Sequence, residues 1–175
     1  MSEIPDLQIG HVGLYVTDLE TMRDFYTGVL GFRVTDAGKG RAAEMAFLSR
    51  SAEEHHQIVL ATGRPPGSYS VVNQLSFRVG SLAELRAVHR RLEASGVAEI
   101  RPIDHLVAWS VYFLDPEGNR LEVYVPTPWY VNQPYAEPLD LSKSDDELFA
   151  VCEAKAKASP GYMPIGDWKA AFAAR

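Results

Sequence analysis

The sequence predicts an α+β protein made of two β-α-β-β-β units followed by a partly helical C-terminal tail. Two observations carry this reading. The stretch Ile9-Gly10-His11-Val12-Gly13-Leu14-Tyr15-Val16-Thr17-Asp18-Leu19 is echoed by Val72-Asn73-Gln74-Leu75-Ser76-Phe77-Arg78-Val79-Gly80-Ser81-Leu82, at an offset of 63 residues (74 − 11). Both copies run from an apolar strand pattern into an amphipathic helix, and a repeat of this size marks one supersecondary unit and its copy. After Val125 the character changes. Pro126, Pro128, Pro134 and Pro138 punctuate a segment with Trp129, Tyr130 and Tyr135, too rich in large apolar residues to read as disordered.

The elements follow in order. Residues 9–16 alternate as a strand, and Asp18 can cap a helix in which Leu19, Met22, Phe25, Tyr26 and Leu30 recur at helical spacing. Gly31 stops it. Short strands are predicted at 32–35, 43–49 and 56–62, with a turn at Lys39-Gly40-Arg41 and a linker at Gly63-Arg64-Pro65-Pro66-Gly67. The second copy has a strand at 72–79. Ser81 then caps a helix with the stripe Leu82, Leu85, Val88 and Leu92, and Gly96 ends it. Strands near 99–102, 107–114 and 119–125 follow, the last two joined by the turn Asp115-Pro116-Glu117-Gly118-Asn119. In the tail, Ser144-Asp145-Asp146-Glu147 opens a helix over 145–157, and a short helix is expected at 166–174.

Composition narrows the function. With 46% apolar residues in 175, the chain can bury a sizeable core. A net charge of −6 argues against nucleic acid or an anionic membrane as partner. The lone Cys152 cannot form an internal disulfide, which fits a reducing cytoplasm, and it reads as a packed helical thiol. Met1 to Asp6 lack the basic start and apolar run of a signal peptide, and no stretch is long enough to span a bilayer. There is no Gly-rich phosphate loop or Cys-x-x-Cys pair, so nucleotide and structural zinc readings lose support.

The repeat pairs His11 with Gln74. Polar side chains at equivalent places in two buried strands cost free energy unless partnered. A shared metal ion is one partner; a hydrogen bond to a strand neighbour is the other.

Two motifs extend this. Phe25-Tyr26-Thr27-Gly28-Val29-Leu30-Gly31-Phe32 follows the first strand, and Tyr112-Phe113-Leu114-Asp115-Pro116-Glu117-Gly118-Asn119-Arg120-Leu121-Glu122 lies near the end of the second unit. With the two β-α-β-β-β units they resemble the vicinal oxygen chelate superfamily, which includes glyoxalase I, fosfomycin-resistance proteins, methylmalonyl-CoA epimerase and extradiol dioxygenases. The resemblance covers about residues 8–126, with repeats at about 8–64 and 71–126, and leaves 127–175 as an extension packed on the domain. It implies a cupped, barrel-like mixed sheet around a divalent metal. It also implies ligands from the first strand of each unit and the last strand of the second: His11, Gln74 and Glu122. Gln74 departs from the extradiol pattern, which has His there. An amide oxygen is neutral and hard, suited to Fe²⁺, Mn²⁺ or Mg²⁺, with Zn²⁺ also possible.

The resemblance also suggests the chemistry. His55-His56-Gln57-Ile58 sits where extradiol dioxygenases carry a His-His-x-apolar strand. By strand parity His56 shares a face with Ile58, and His55 points away to solvent. If Ile58 stands at the fourth glyoxalase ligand position, that ligand is missing, which weighs against glyoxalase and epimerase chemistry. Tyr112 lies ten residues before Glu122 (122 − 112), the spacing of a substrate-binding Tyr in ring-cleaving members; His105 lies a little upstream. His56, His105 and Tyr112 are thus the catalytic candidates. Tyr112, Trp109 and Trp129 are the candidates to contact or wall in a small aromatic ring. The expected activity is extradiol-type, Fe²⁺-dependent cleavage of a catechol-like aromatic by a homodimer. Two readings stay open: a binding or resistance protein of the same fold without turnover, and a metal-dependent lyase, isomerase or transferase. A His in a strand is also commonly structural, and a Tyr commonly core.

Overall fold

The computed structural model describes residues 7–174. Met1 to Asp6, read above for a leader, lie outside the described residues, as does Arg175 at the end of the tail. The chain divides between Ser70 and Val71 into two compact units. The first runs β1 (Val12–Val16), α1 (Leu19–Gly28), β2 (Arg33–Lys39), β3 (Glu44–Ser49) and β4 (Ile58–Thr62). The second runs β5 (Leu75–Arg78), α2 (Leu82–Ala94), β6 (Arg101–Asp104), β7 (Ala108–Leu114) and β8 (Arg120–Pro126). It also contains the extension: β9 (Trp129–Tyr130), β10 (Glu137–Pro138), α3 (Asp145–Ala158), β11 (Met163–Pro164) and α4 (Ile165–Ala173). This is the α+β, β-α-β-β-β architecture that the sequence predicts. Among the described residues no helix is long and apolar enough to cross a membrane.

The two units share one topology. The first sheet has order β1-β4-β3-β2; the second has β5-β8-β7-β6, with β10 of the extension added beyond β6. In each, the first and last strands of the repeat pair in parallel, with Val12 opposite Ile58 and Leu75 opposite Leu121. Both members of the pair differ by the same 63 residues (75 − 12 and 121 − 58), so the sequence repeat is also a repeat of register.

Alternation then fixes the faces. Ile58 and Leu60 are buried with Ala46 and Leu48 under Met22 and Tyr26 of α1, which packs on β3 and β4. In the second unit Trp109, Val111, Phe113, Leu121, Val123 and Val125 form the buried face on which α2 packs through Leu82, Leu85 and Leu92. The opposite face carries Tyr112 and Glu122.

The helix starts are set by the expected caps. Asp18 accepts the Thr21 N–H at 3.1 Å and Ser81 the Glu84 N–H at 3.2 Å. Ser144 and Glu147 form a reciprocal capping box. The Asp115–Asn119 turn closes β7 onto β8. Asp115 accepts the backbone N–H groups of Glu117 and Asn119 and the Asn119 side-chain amide at 2.7–3.0 Å, and Gly118 adopts a φ of 77° that only glycine takes readily.

Several strands begin later than their apolar pattern suggests. β1, β4 and β5 start at Val12, Ile58 and Leu75, not at 9, 56 and 72, because a strand persists only where a partner backbone runs beside it. His11, His56 and Gln74 therefore sit in the approaches to strands, where period-2 parity does not govern them. β2 is longer than expected, reaching Lys39, because its hairpin with β3 continues past a bulge between Val34 and Asp36.

The extension is part of the second unit's core. α3 buries Leu148, Cys152 and Ala156, and Phe149 meets the Trp109 ring edge-on at 4.7 Å. Cys152 donates its S–H to the buried Asp104 carboxylate at 3.1 Å and accepts the Trp109 indole N–H at 3.2 Å. Burial first, then the Asp104 hydrogen bond and charge, push the thiol up to about 12. A folded value above the unfolded one of 9.0 means the contribution to stability is full below pH 9 and is lost as pH rises from there toward 12. The folded protein is expected to leave Cys152 unreacted toward an aromatic disulfide reagent at pH 8, with one thiol released on adding denaturant. Prompt titration of the native protein would contradict this packing.

Candidate active and metal-binding site

The second unit gathers a buried carboxylate with neutral donors. Ser76 of β5 lies opposite Glu122 of β8, and Glu122 lies opposite Tyr112 of β7. Glu122 is 7% exposed. One of its oxygens, Oε2, accepts the Ser76 hydroxyl at 2.5 Å and the Gln74 side-chain amide at 2.9 Å. Gln74 also donates to the Ser76 hydroxyl at 3.1 Å. Among the described residues no Lys or Arg forms an ion pair with Glu122, and the groups that hold it are neutral donors.

Tyr112 stands beside this group. Its hydroxyl is 2.9 Å from His105 Nε2. Burial first, then the neighbouring Glu122 carboxylate, push Tyr112 up to about 12, against smaller opposing effects of Gln74 and Arg120. The phenol is therefore protonated at neutral pH and serves as a hydrogen-bonding hydroxyl. His105 Nδ1 is 2.6 Å from the Tyr135 carbonyl oxygen of the extension.

The first unit gathers imidazoles. The His11 and His56 rings lie 4.4 Å apart, and Phe47 of β3 meets the His56 ring edge at 5.2 Å. His55 is exposed, as strand parity predicts, but it turns toward His56 and not away from it. Their Nδ1 atoms are 2.9 Å apart, and His55 Nε2 is 3.1 Å from Asp36 Oδ2. The reason is that the backbone bends at residues 52, 53, 55 and 57 before β4 and forms no strand there. Hydrogen bonding fixes the neutral tautomers. The carboxylate accepts from His55 Nε2–H, bare His55 Nδ1 accepts from His56 Nδ1–H, and His56 is left with a bare Nε2. Burial first, then the charges of His11 and His55, hold His56 below 6.5 against the pull of Glu54.

The repeated register also reassigns the fourth ligand position. Gly13 lies opposite Val59 as Ser76 lies opposite Glu122, so the counterpart of Glu122 is Val59, not Ile58. Ile58 faces the helix-covered core. Val59 cannot bind a metal either, so the first unit has no carboxylate to match Glu122.

Thus His105, Tyr112, Gln74 and Glu122 come together in one unit, and His11 and His56 in the other. Trp109 and Trp129 do not join either group. Both are buried in the second unit's core, 6.5 Å apart edge-on, against Phe149 of α3 and on the opposite face of β7 from Tyr112. Both rings are thus packed into the core of the second unit. Sequence reasoning missed Ser76, Asp36, the role of His55, and Tyr135. Ser76 was legible in principle, since it is two residues after Gln74 and on a strand parallel to that of Glu122.

The donor set fits a hard divalent cation. A buried carboxylate without a cationic partner is the kind of group that a metal satisfies, and Gln74 can turn its carbonyl oxygen to a cation in place of its N–H. Among the described residues no group of three or more His, Cys, Asp or Glu is placed to hold a metal. The expected set has only two members of those types, His11 and Glu122, with an amide as the third.

Residues 8–123 match the Glyoxalase/Bleomycin resistance protein/Dioxygenase superfamily, and the chain belongs to it. Biphenyl-2,3-diol 1,2-dioxygenase 2 of Rhodococcus globerulus is 30% identical over 124 residues, 67% of this chain and 62% of that protein. The chain thus spans about three-fifths of the length of that relative. A glyoxylase/bleomycin resistance protein/dioxygenase domain from Frankia superposes with a TM-score of 0.62 at 25% identity, covering 70% of this chain and all of that one. A mutant fosfomycin resistance protein from Listeria monocytogenes, determined with Mn(II), shares the fold at a TM-score of 0.55 and 22% identity, over 71% of this chain and 95% of that one.

The pKa of His56 provides a check on the first unit's geometry. Its imidazole is expected to titrate below 6.5 by NMR, and His11→Ala should move the midpoint back up without restoring it fully, because burial is the larger cause. Since the folded value is depressed, its contribution to stability is present above pH 6.5 and falls away as pH drops below it. A midpoint at or above 6.5 in the wild type would refute the placement of His56.

Proposed function

We propose that the chain is a metal-dependent dioxygenase of extradiol type that acts on a catechol-like aromatic, with His11, Gln74 and Glu122 as ligands to Fe²⁺. The observation that carries this reading is the buried Glu122 carboxylate, held by neutral donors alone and set beside the Tyr112–His105 pair. The name of the Rhodococcus relative supports it as well. A bound Fe²⁺ would supply a Lewis acid for the substrate oxygens and a redox centre for O₂.

The protein's part is positioning and proton movement. His56, with its bare Nε2, accepts a proton from a catechol hydroxyl and returns it later. Tyr112, kept as a phenol, hydrogen-bonds a substrate oxygen and orients the ring. His105 accepts a hydrogen bond from the Tyr112 hydroxyl and so fixes its direction. Asp36 and His55 hold the His56 tautomer from behind; both are largely exposed, with side chains 70% and 58% accessible, so their influence is modest. A homodimer belongs to this reading, and the exposure of Leu7, Ile9, Tyr15 and Tyr69 supports a further covering surface.

One observation favours a second reading, a binding or resistance protein without turnover. Gln74 already satisfies Glu122 through its N–H, a contact that needs no metal.

O₂ uptake by anaerobically prepared, iron-loaded protein with simple and bicyclic catechols separates the two. The dioxygenase reading expects uptake with ring opening. It further expects His56→Phe to lower kcat by about 10²–10⁴-fold, the usual effect of removing a general acid–base, with iron binding retained. Full activity in His56→Phe removes that residue from the mechanism. Catechol binding with no O₂ uptake by the wild type establishes the second reading instead.

A further inference from the structure

The loop that follows β6 is clamped by the extension in a closed ring of hydrogen bonds. The Gln133 side-chain amide donates to the His105 carbonyl at 3.0 Å, and its own carbonyl accepts the Tyr135 N–H at 3.1 Å. The Tyr135 carbonyl in turn accepts His105 Nδ1–H at 2.6 Å. Gln133 thus joins the backbone of His105 to the peptide that receives the His105 ring. The segment is anchored on its far side too. Glu137 and Pro138 pair with β6, and Glu137 is bound by Lys155 of α3 at 2.5 Å. On the near side, Leu106 N–H is held by Asp104 at 2.8 Å and the Leu106 carbonyl by the Thr127 hydroxyl at 2.6 Å.

We propose that Gln133 is a positioning residue: through the Tyr135 carbonyl it fixes His105 as the Nδ1–H tautomer and presents a bare Nε2 to Tyr112. A neutral imidazole has two tautomers, and the bond made by one nitrogen selects the state of the other. A carbonyl oxygen only accepts, so Nδ1 must carry the proton. Nε2 is then an acceptor, and the single Tyr112 proton points to His105. In the other tautomer Nε2–H would donate to the Tyr112 oxygen, and the phenol proton would turn to Glu122. A lone pair on the site's carboxylate would then be occupied by a hydrogen bond. The extension, which contributes no expected ligand, thereby sets which way the Tyr112 hydroxyl faces. Its importance for catalysis rests on the dioxygenase reading; the tautomer does not.

The test is long-range ¹H–¹⁵N correlation NMR on metal-free, full-length protein at pH 8, with the His105 ring assigned by its loss in His105→Gln. The wild type is expected to show a protonated Nδ1 and a bare Nε2, with widely separated nitrogen shifts. Gln133→Ala should collapse that separation toward the average of two tautomers while the melting profile stays close to wild type. Gln133→Glu, which keeps the acceptor for Tyr135 N–H but loses the donor to the His105 carbonyl, should retain only part of it and so keeps the idea testable if the alanine variant folds poorly. A protonated Nε2 in the wild type, or wild-type shifts in a folded Gln133→Ala, overturns the proposal. Because neither metal nor substrate is present, failure of the dioxygenase reading leaves this result unaffected.

Discussion

A carboxylate taken out of water must be given partners, and Glu122 is the residue around which the second unit's inner face is arranged. Burying such an ion costs several kcal/mol after relaxation. A hydrogen bond to a charged group returns roughly 1.5–3 kcal/mol. The Ser76 and Gln74 bonds therefore come close to offsetting the cost without neutralising the charge. That leaves the carboxylate held by hydrogen bonds but not neutralised. The parallel pairing of β5 with β8 makes it possible, because it sets Ser76 directly opposite Glu122. The Asp115–Asn119 turn fixes the register of β7 on β8 and so brings Tyr112 to the other side of the same carboxylate.

The two units repeat their backbone and divide their chemistry. Where the second has Ser76, Glu122 and Tyr112 opposed across three strands, the first has Gly13, Val59 and Phe47. Its polar groups come instead from the approaches to β1 and β4, where His11 and the His55–His56 pair stand free of strand alternation. The second unit thus carries a carboxylate, a phenol and the His105 imidazole, and the first carries the His11, His55 and His56 imidazoles.

Much of the architecture was legible in the residues. The 63-residue echo, the Asp18, Ser81 and Ser144 caps and the Asp115–Asn119 turn act locally, and each appears where its chemistry predicts. What failed were inferences that required knowing where strands end. Strand parity turns His55 away from His56, whereas the backbone bends before β4; the sequence pattern does not say which residue of β4 answers Glu122, and register assigns Val59. Trp109 and Trp129 illustrate a different limit: an aromatic side chain has the same composition signal in a core as at a pocket wall, and only the packing of α3 tells them apart. The Gln133–Tyr135 clamp was beyond reach, since it joins residues about thirty apart through a backbone carbonyl that no side-chain pattern reports.

The proposed function requires that Glu122 and His11 both bind one divalent ion. Anaerobic Fe²⁺ titration of the metal-free protein by calorimetry addresses it directly. The account predicts one Fe²⁺ per chain in the wild type, loss of most binding in Glu122→Ala and in His11→Ala alike, and retention in Asp36→Asn. Unaltered stoichiometry and affinity in both Glu122→Ala and His11→Ala would contradict it.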